Sequence, residues 1–300
     1  MTLLAVDIGK TTCRVRVGDT DLVGPGAVGL ADPDGSEALL RAVLDLIGAD
    51  EARRLVGAHA CVASAGHLAG DTWAESTAHR FIDKLELGSC AVTSDAIAAH
   101  VGAFAGAPGA VQAAGTGSIA VGVSTDGQIH VVDGVGQWLG DEGSGAWIGL
   151  EGLRAAARAH DGRGPDSALR TAAEEAYGDL DLLAVALHAS GNVPQAAARF
   201  ATTVCRLAAD DDLASSIIDR AAQALALTAV TAARRSGHQE VALVGGLQEL
   251  GPTLLDPWHR HLADAGMLVV PARGSALDGA ATLAVRRDLP HEPAVTRVDT

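Results

Sequence analysis

The stretch 4-LAVDIGKTTCRVRV-17 decides how the chain is read, because Gly9-Lys10-Thr11 has the letters of a Walker phosphate loop. Such a loop needs a second glycine five residues before the Gly-Lys pair and a helix directly after it. Leu4 occupies the glycine position. Cys13, Val15 and Val17 alternate with Arg14 and Arg16 at the two-residue period of a half-buried strand. The segment is therefore read as strand, tight turn, strand, with Asp7 at the bend and the hydroxyls of Thr11 and Thr12 at its tip.

A second segment has the same form. In 110-AVQAAGTGSIAVGVSTDGQIHVVDG-134, strand-like runs flank Gly115-Thr116-Gly117-Ser118 and then an Asp126-Gly127 turn. Backbone N–H groups of small residues approach an anion closely, and Thr and Ser hydroxyls add donors. Two such turns facing each other, Gly9 to Thr12 and Gly115 to Ser118, would clamp a polyphosphate, with Asp7 placed to hold Mg²⁺ directly or through water. Taken singly, each turn also reads as an ordinary hairpin.

The chain between these hairpins reads as an open α/β pattern. A Gly/Pro/Asp-rich connection, 24-GPGAVGLADPDG-35, precedes a helix from Ser36, its expected N-cap, to about Ile47. A buried strand follows within 55–66, then a polar helix around 71–85. In 89-SCAVTSDAIAAHVGAF-104 a strand stops at Thr93-Ser94-Asp95 and a helix begins. Asp95 thus falls at a strand's carboxyl end, where α/β sheets place ligands. It reads either as the helix cap or, since Ser94 can cap equally well, as a carboxylate able to take a proton from an attacking hydroxyl.

The segment 106-GAPG-109 resets the chain, giving expected domains of 1–106 and 107–300, the last helix able to pack back on the first. From about Leu150 to Gly237 the sequence is Ala- and Leu-rich and helical, its last helix marked by Ile218, Ala222, Leu225, Ala229 and Ala232 and a Gly237 stop. The run 241-VALVGGLQEL-250 is a strand entering a Gly-Gly turn. Gly245 and Gly246 fit either a plain turn before a helix or close backbone approach to a purine or ribose. A strand at 267–271 and a helix at 275–287 follow, and the tail from Asp288, with Pro290 and Pro293, is expected to be mobile.

The most unusual stretch is 134-GVGQWLGDEGSGAWIG-149, with six glycines, Asp141, Glu142 and two tryptophans in a chain that is 3% aromatic. Carboxylates that accept hydrogen bonds from hydroxyls, beside indoles that cover C–H faces, suit a polyol. The other reading is a solvated turn before a helix.

Composition narrows the function classes. Hydrophobic residues make up 48% of the 300, as in a folded enzyme-sized protein. A net charge of -15 argues against nucleic-acid and membrane-surface partners, which are held by Lys and Arg. No apolar run is expected to reach the ~20 residues needed to span a bilayer. The expected compartment is the cytosol. Cys13, Cys61, Cys90 and Cys205 are scattered, without metal-ligand spacing, and read as reduced thiols.

With these pieces in order, the chain resembles the actin-like ATPase superfamily of sugar kinases, heat-shock ATPases and actin, specifically the N-acetylglucosamine kinase / BadF-type (BadF-BadG-BcrA) ATPase family. The hairpin 5-AVDIGKTTCRV-15 resembles its first phosphate motif, 113-AAGTGSIAVGV-123 its second and 242-ALVGGL-247 its adenosine motif. The most specific match is 136-GQWLGDEGSGAWIG-149. The resemblance implies an α/β fold of two actin-like (ribonuclease H-like) domains hinged over an ATP/sugar cleft. It further implies that Gly9, Lys10, Thr11, Thr12, Gly115, Thr116, Gly117 and Ser118 serve the ATP phosphates and Asp7 serves Mg²⁺. Asp95 would be the general base, and Gly134, Val135, Gly136, Asp141 and Glu142 would hold an amino sugar. Gly245, Gly246 and Gly279 would lie around adenosine. Relatives of this type are often homodimers. Lys10 replaces the last glycine of the usual Gly-Gly-Thr turn, and the 24–35 loop lacks an Asn that binds sugar in relatives. Two other functions fit the resemblance: an ATP-driven activator of a partner enzyme, built around a cysteine-held iron–sulfur cluster, and a non-catalytic sugar sensor.

Overall fold

The computed structural model describes residues 2–9, 11–27, 34–66 and 71–300, so Lys10 and most of the loop after Ala27 lie outside the described residues. The chain forms two compact units, the first of residues 1–109, 121–130 and 271–300 and the second of 110–120 and 131–270. The first break falls at Gly109, three residues past the boundary expected from sequence.

The first unit is built on β1 (Leu3–Ile8), β2 (Thr12–Val17), β3 (Thr20–Pro25), β4 (His59–Ser64), β5 (Ser89–Ser94) and β11 (Thr296–Asp299), in the sheet order β11-β5-β4-β1-β2-β3. The opening hairpin pairs antiparallel with Asp7 opposite Arg14, as the alternation of Val15 and Val17 requires. β1, β4 and β5 run parallel, and all six residues of β5 are buried, as expected of a strand with elements on both faces. On this sheet lie α1 (Gly35–Arg53), α2 (Asp71–Leu85), α3 (Asp95–Phe104) and α10 (Ala276–Val285). Leu39, Val43 and Ile47, one helical turn apart, are the buried stripe of α1.

Two expectations change here. The N-cap of α1 is Asp34 rather than Ser36, whose hydroxyl instead accepts a hydrogen bond from Thr77 of α2 at 3.0 Å. The tail is ordered: β11 pairs antiparallel with β5, and Arg297 bonds the carbonyls of Leu283 and Arg286 as well as the Glu292 carboxylate. The prolines sit outside β11, whose backbone therefore keeps its donors for the ladder.

The second sheet has the order β10-β9-β6-β7-β8, from β6 (Gly109–Ala114), β7 (Ser118–Val123), β8 (Ile129–Asp133), β9 (Glu240–Val244) and β10 (Leu268–Val269). Its order repeats the core of the first: a three-strand meander, then two parallel strands added beyond its first member, to which the first sheet alone adds the antiparallel β11. The topology is duplicated although the letters are not. A helical block covers it, made of α4 (Gly145–His160), α5 (Ala168–Tyr177), α6 (Leu183–Ala189), α7 (Val193–Leu207), α8 (Asp212–Ser236) and α9 (Pro252–Asp264). All five apolar positions read for α8 are buried, and Gly237 closes it in the left-handed conformation. Contrary to the sequence expectation, α8, with 25 residues, is by length and composition long and apolar enough to cross a membrane, but more than half of its apolar stretch is buried within the fold. That apolar surface is used by the core.

Candidate functional site

In the first unit the predicted residues gather at one sheet edge. Ile8 pairs with Ser64 and Ser64 with Ser94, so the carboxyl ends of β1, β4 and β5 lie level. Two strand spacings, about 10 Å, separate Ile8 from Ser94. The turn after β1 and Asp95 after β5 therefore leave the sheet side by side. The turn is closed by Gly9 N donating to Thr12 O at 2.9 Å. Gly26, which sequence reasoning missed, lies against it: a Cβ there would strike the Gly9 carbonyl and reach within 2.6 Å of the Thr11 and Thr12 nitrogens. Only glycine fits this close to the turn, which Ala27 N also binds through the Gly9 carbonyl at 3.2 Å.

Ser94 caps α3, its hydroxyl accepting from Ile97 N at 3.1 Å. Asp95 is the first residue of the helix, partly buried, and accepts from Ala96 N at 2.8 Å. Its carboxylate stands at the N-terminus of α3. Asp7 is buried enough that desolvation pushes its carboxyl up from the ordinary range, against the opposing pull of Arg14, whose Nη1 donates to Asp7 Oδ2 at 3.3 Å. A partly buried carboxylate whose desolvation outweighs the pull of its one arginine partner fits a divalent cation, which would hold it ionised.

The second unit brings four predicted pieces together. β6 and β9 run parallel with Ala113 opposite Val244, so the turn 115–118 and Gly245-Gly246 follow level strand ends. Gly245, at φ 98°, has no room for a Cβ against the Ala114 carbonyl, whereas Gly246 has nothing within 4 Å of that position. The nearest atom to a Cβ on Gly115 is Gly246 N at 3.9 Å. These glycine backbones border open space, as close approach by a ligand requires. The first turn of α4 is tied to the same place, Gly145 N donating to Gly115 O at 2.8 Å and Ala146 N to Thr116 O at 3.1 Å. Asp141 completes the group: a Cβ on Gly117 would sit 2.9 Å from Asp141 Oδ2. The carboxylate lies against the glycine of the turn.

Three placements differ from the sequence reading. Ser118 is buried, and its hydroxyl accepts from Gln112 Nε2 at 2.9 Å, which leaves Thr116 as the partly exposed hydroxyl of that turn. Trp147 belongs to the first turn of α4, with Arg220 5.3 Å above its ring, so only Trp138 projects from the loop. Gly279 lies in the first unit, where a Cβ would strike the Ala98 carbonyl; helix packing accounts for this glycine. Within the loop, Gly134 and Gly136 take positive φ, Val135, Trp138 and Leu139 are exposed, and Glu142 is exposed beside Asp141. Sequence reasoning also passed over Asp133, whose carboxylate accepts from three amides of this loop. An Asp-Gly pair at a strand's exit was the available signal.

Two sheets of one strand order, each with a glycine turn at its level strand ends, define the two-domain actin-like α/β fold of sugar kinases and related ATPases. The chain belongs to the BadF/BadG/BcrA/BcrD ATPase family, whose model matches residues 4–255. No curated protein matches it. Among solved structures it is similar to a proposed N-acetylglucosamine kinase from Chromobacterium violaceum, at 26% identity over 94% of this chain and 98% of that one, with a TM-score of 0.74. A second proposed N-acetylglucosamine kinase, from Porphyromonas gingivalis, shares the fold at 18% identity over 97% and 99% of the two chains, with a TM-score of 0.71. A ROK family glucokinase from Streptomyces griseus, solved with glucose and AMPPNP, shares it at 17% identity over 94% and 99%, with a TM-score of 0.58.

Proposed function

We propose that this protein is a cytoplasmic, homodimeric kinase that transfers the terminal phosphoryl group of ATP to a hydroxyl of an amino sugar, N-acetylglucosamine or a related hexosamine. The observation that carries the reading is the Asp141 carboxylate lying against Gly117. A group suited to sugar hydroxyls and a turn suited to phosphate are adjacent within one unit, as phosphoryl transfer between those two ligands requires. The similarity to two proposed N-acetylglucosamine kinases supports the same substrate class.

ATP is the phosphoryl donor, and Asp7 would hold Mg²⁺, which would supply positive charge to the phosphate chain. The chain's own residues do the rest. Asp95 takes the proton of the attacking hydroxyl while Ser94 keeps the helix cap. Amides and hydroxyls of Thr11 and Thr12, and of Thr116 and Gly117, donate to the phosphate chain, while the Gly9 and Gly115 amides close the two turns, in which Lys10 and Ser118 also lie. Gly245 and Gly246 leave room for adenosine. Asp141 and Glu142 accept from sugar hydroxyls beside the backbone of Gly134, Val135 and Gly136, and Trp138 offers an aromatic face to the ring.

The four cysteines bear on the activator alternative. All are buried, and burial pushes the thiols up, Cys13 to about 11 and Cys61 to about 12. Such thiols stay protonated and are poorly placed to hold a cluster at a subunit surface. For the kinase reading, Asp95→Asn should lower sugar-dependent turnover by roughly 10²–10⁴, the size of general-base effects, with ATP affinity kept. Turnover equal to wild type would remove Asp95 from the role.

A further inference from the structure

One side chain closes the loop that carries Asp141 and Glu142. Asp133, the last residue of β8, accepts from Gly134 N and Asp141 N through Oδ1, both at 2.8 Å, and from Glu142 N through Oδ2 at 3.0 Å. The first bond is local. The other two reach eight and nine residues along the chain, across the mouth of the loop. Charge-assisted bonds of this kind are the stronger class of hydrogen bond. The backbone is shaped around them. Asp133 has φ 62° and Asp141 φ 53°, a left-handed region that residues other than glycine enter at a cost and hold where surrounding contacts fix them. Gly140 has no room for a side chain, because a Cβ would strike Asp133 Oδ1 and come within 2.7 Å of Val135 Cγ2. Glycine at 140 is what lets the carboxylate reach its amides.

We propose that Asp133 is a positioning residue: its carboxylate clamps the main chain at 141 and 142 and so sets where the Asp141 and Glu142 carboxylates meet the sugar. The inference rests on the sugar-kinase reading for its substrate, but the clamp itself does not. Asn tolerates the same backbone region and keeps one acceptor oxygen, while its NH₂ group faces the Glu142 N–H, donor against donor. Fold and local conformation therefore survive in Asp133→Asn while the clamp's bond to Glu142 is lost.

The test uses the full chain with N-acetylglucosamine and ATP. Asp133→Asn is expected to raise the KM for the sugar about 10- to 100-fold, the effect of misplacing a contact by about 1 Å, with the KM for ATP within about twofold and the unfolding midpoint unchanged. Gly140→Ala should act through the same carboxylate, so the double variant should be no worse than the poorer single one. An unchanged sugar KM, or a joint rise of both KM values with a falling midpoint, would overturn the positioning role. Hydrogen exchange at the Glu142 amide reads the clamp without activity and should quicken at least about tenfold in Asp133→Asn. If the wild type phosphorylates no sugar while this amide is protected and released by the variant, the kinase reading fails and the clamp stands. Unchanged exchange overturns the clamp.

Discussion

Two carboxylates at the first sheet's edge are given different work by their surroundings. Asp95 opens α3 directly after Ser94, whose hydroxyl fills the helix cap. Asp7 is partly buried, and desolvation raises its carboxyl. The sign of the linkage follows: with the folded value above the unfolded one, the ionised side chain costs stability at neutral pH, and the cost fades as pH falls and the group is protonated. Asp7→Asn should therefore unfold at a temperature equal to or above that of the wild type at pH 7, with the advantage lost toward pH 3, while Mg²⁺-dependent turnover disappears. A variant less stable than wild type at pH 7 would show that the pair with Arg14 outweighs desolvation. Asp7 was legible in the sequence because it ends a strand at a turn. Asp133 was not, since its partners lie eight and nine residues away and depend on how the loop folds back.

At the scale of elements, α3 and α10 meet without side chains between them. A Cβ on Gly102 would strike the Ser275 carbonyl and one on Gly279 the Ala98 carbonyl. Gly279→Ala sets two effects against each other: alanine gains about 1 kcal/mol inside a helix, whereas overpacking against main chain costs about 1–3 kcal/mol. A backbone oxygen cannot rotate away, so the collision should win. Urea denaturation should show a net loss of about 1 kcal/mol or more; a more stable variant would mean the helices separate at little cost. The packing role of Gly279 was not legible in the sequence, which shows a glycine but not the helix across from it. The cap of α3, the stripe of α8 and the Gly237 stop were legible because each is set by residues within a turn or two.

At the scale of the whole molecule, the repeated strand order is the feature that the sequence disclosed only in outline. Strand–turn–strand openings were visible in both halves, yet the place of β11 beside β5 was not, because a four-residue strand at the chain's end carries little pattern of its own. The roles that remain to be measured depend on chemistry rather than architecture: a base in the first unit, a glycine turn and a carboxylate loop in the second. The most direct measurement is ADP release by the purified protein with ATP and Mg²⁺, in the presence and absence of glucosamine, N-acetylglucosamine, N-acetylmannosamine, N-acetylmuramic acid and glucose. An amino-sugar kinase releases ADP faster with at least one amino sugar, most of all N-acetylglucosamine, and yields the matching sugar phosphate. ADP release at one rate with every sugar and with none would contradict it.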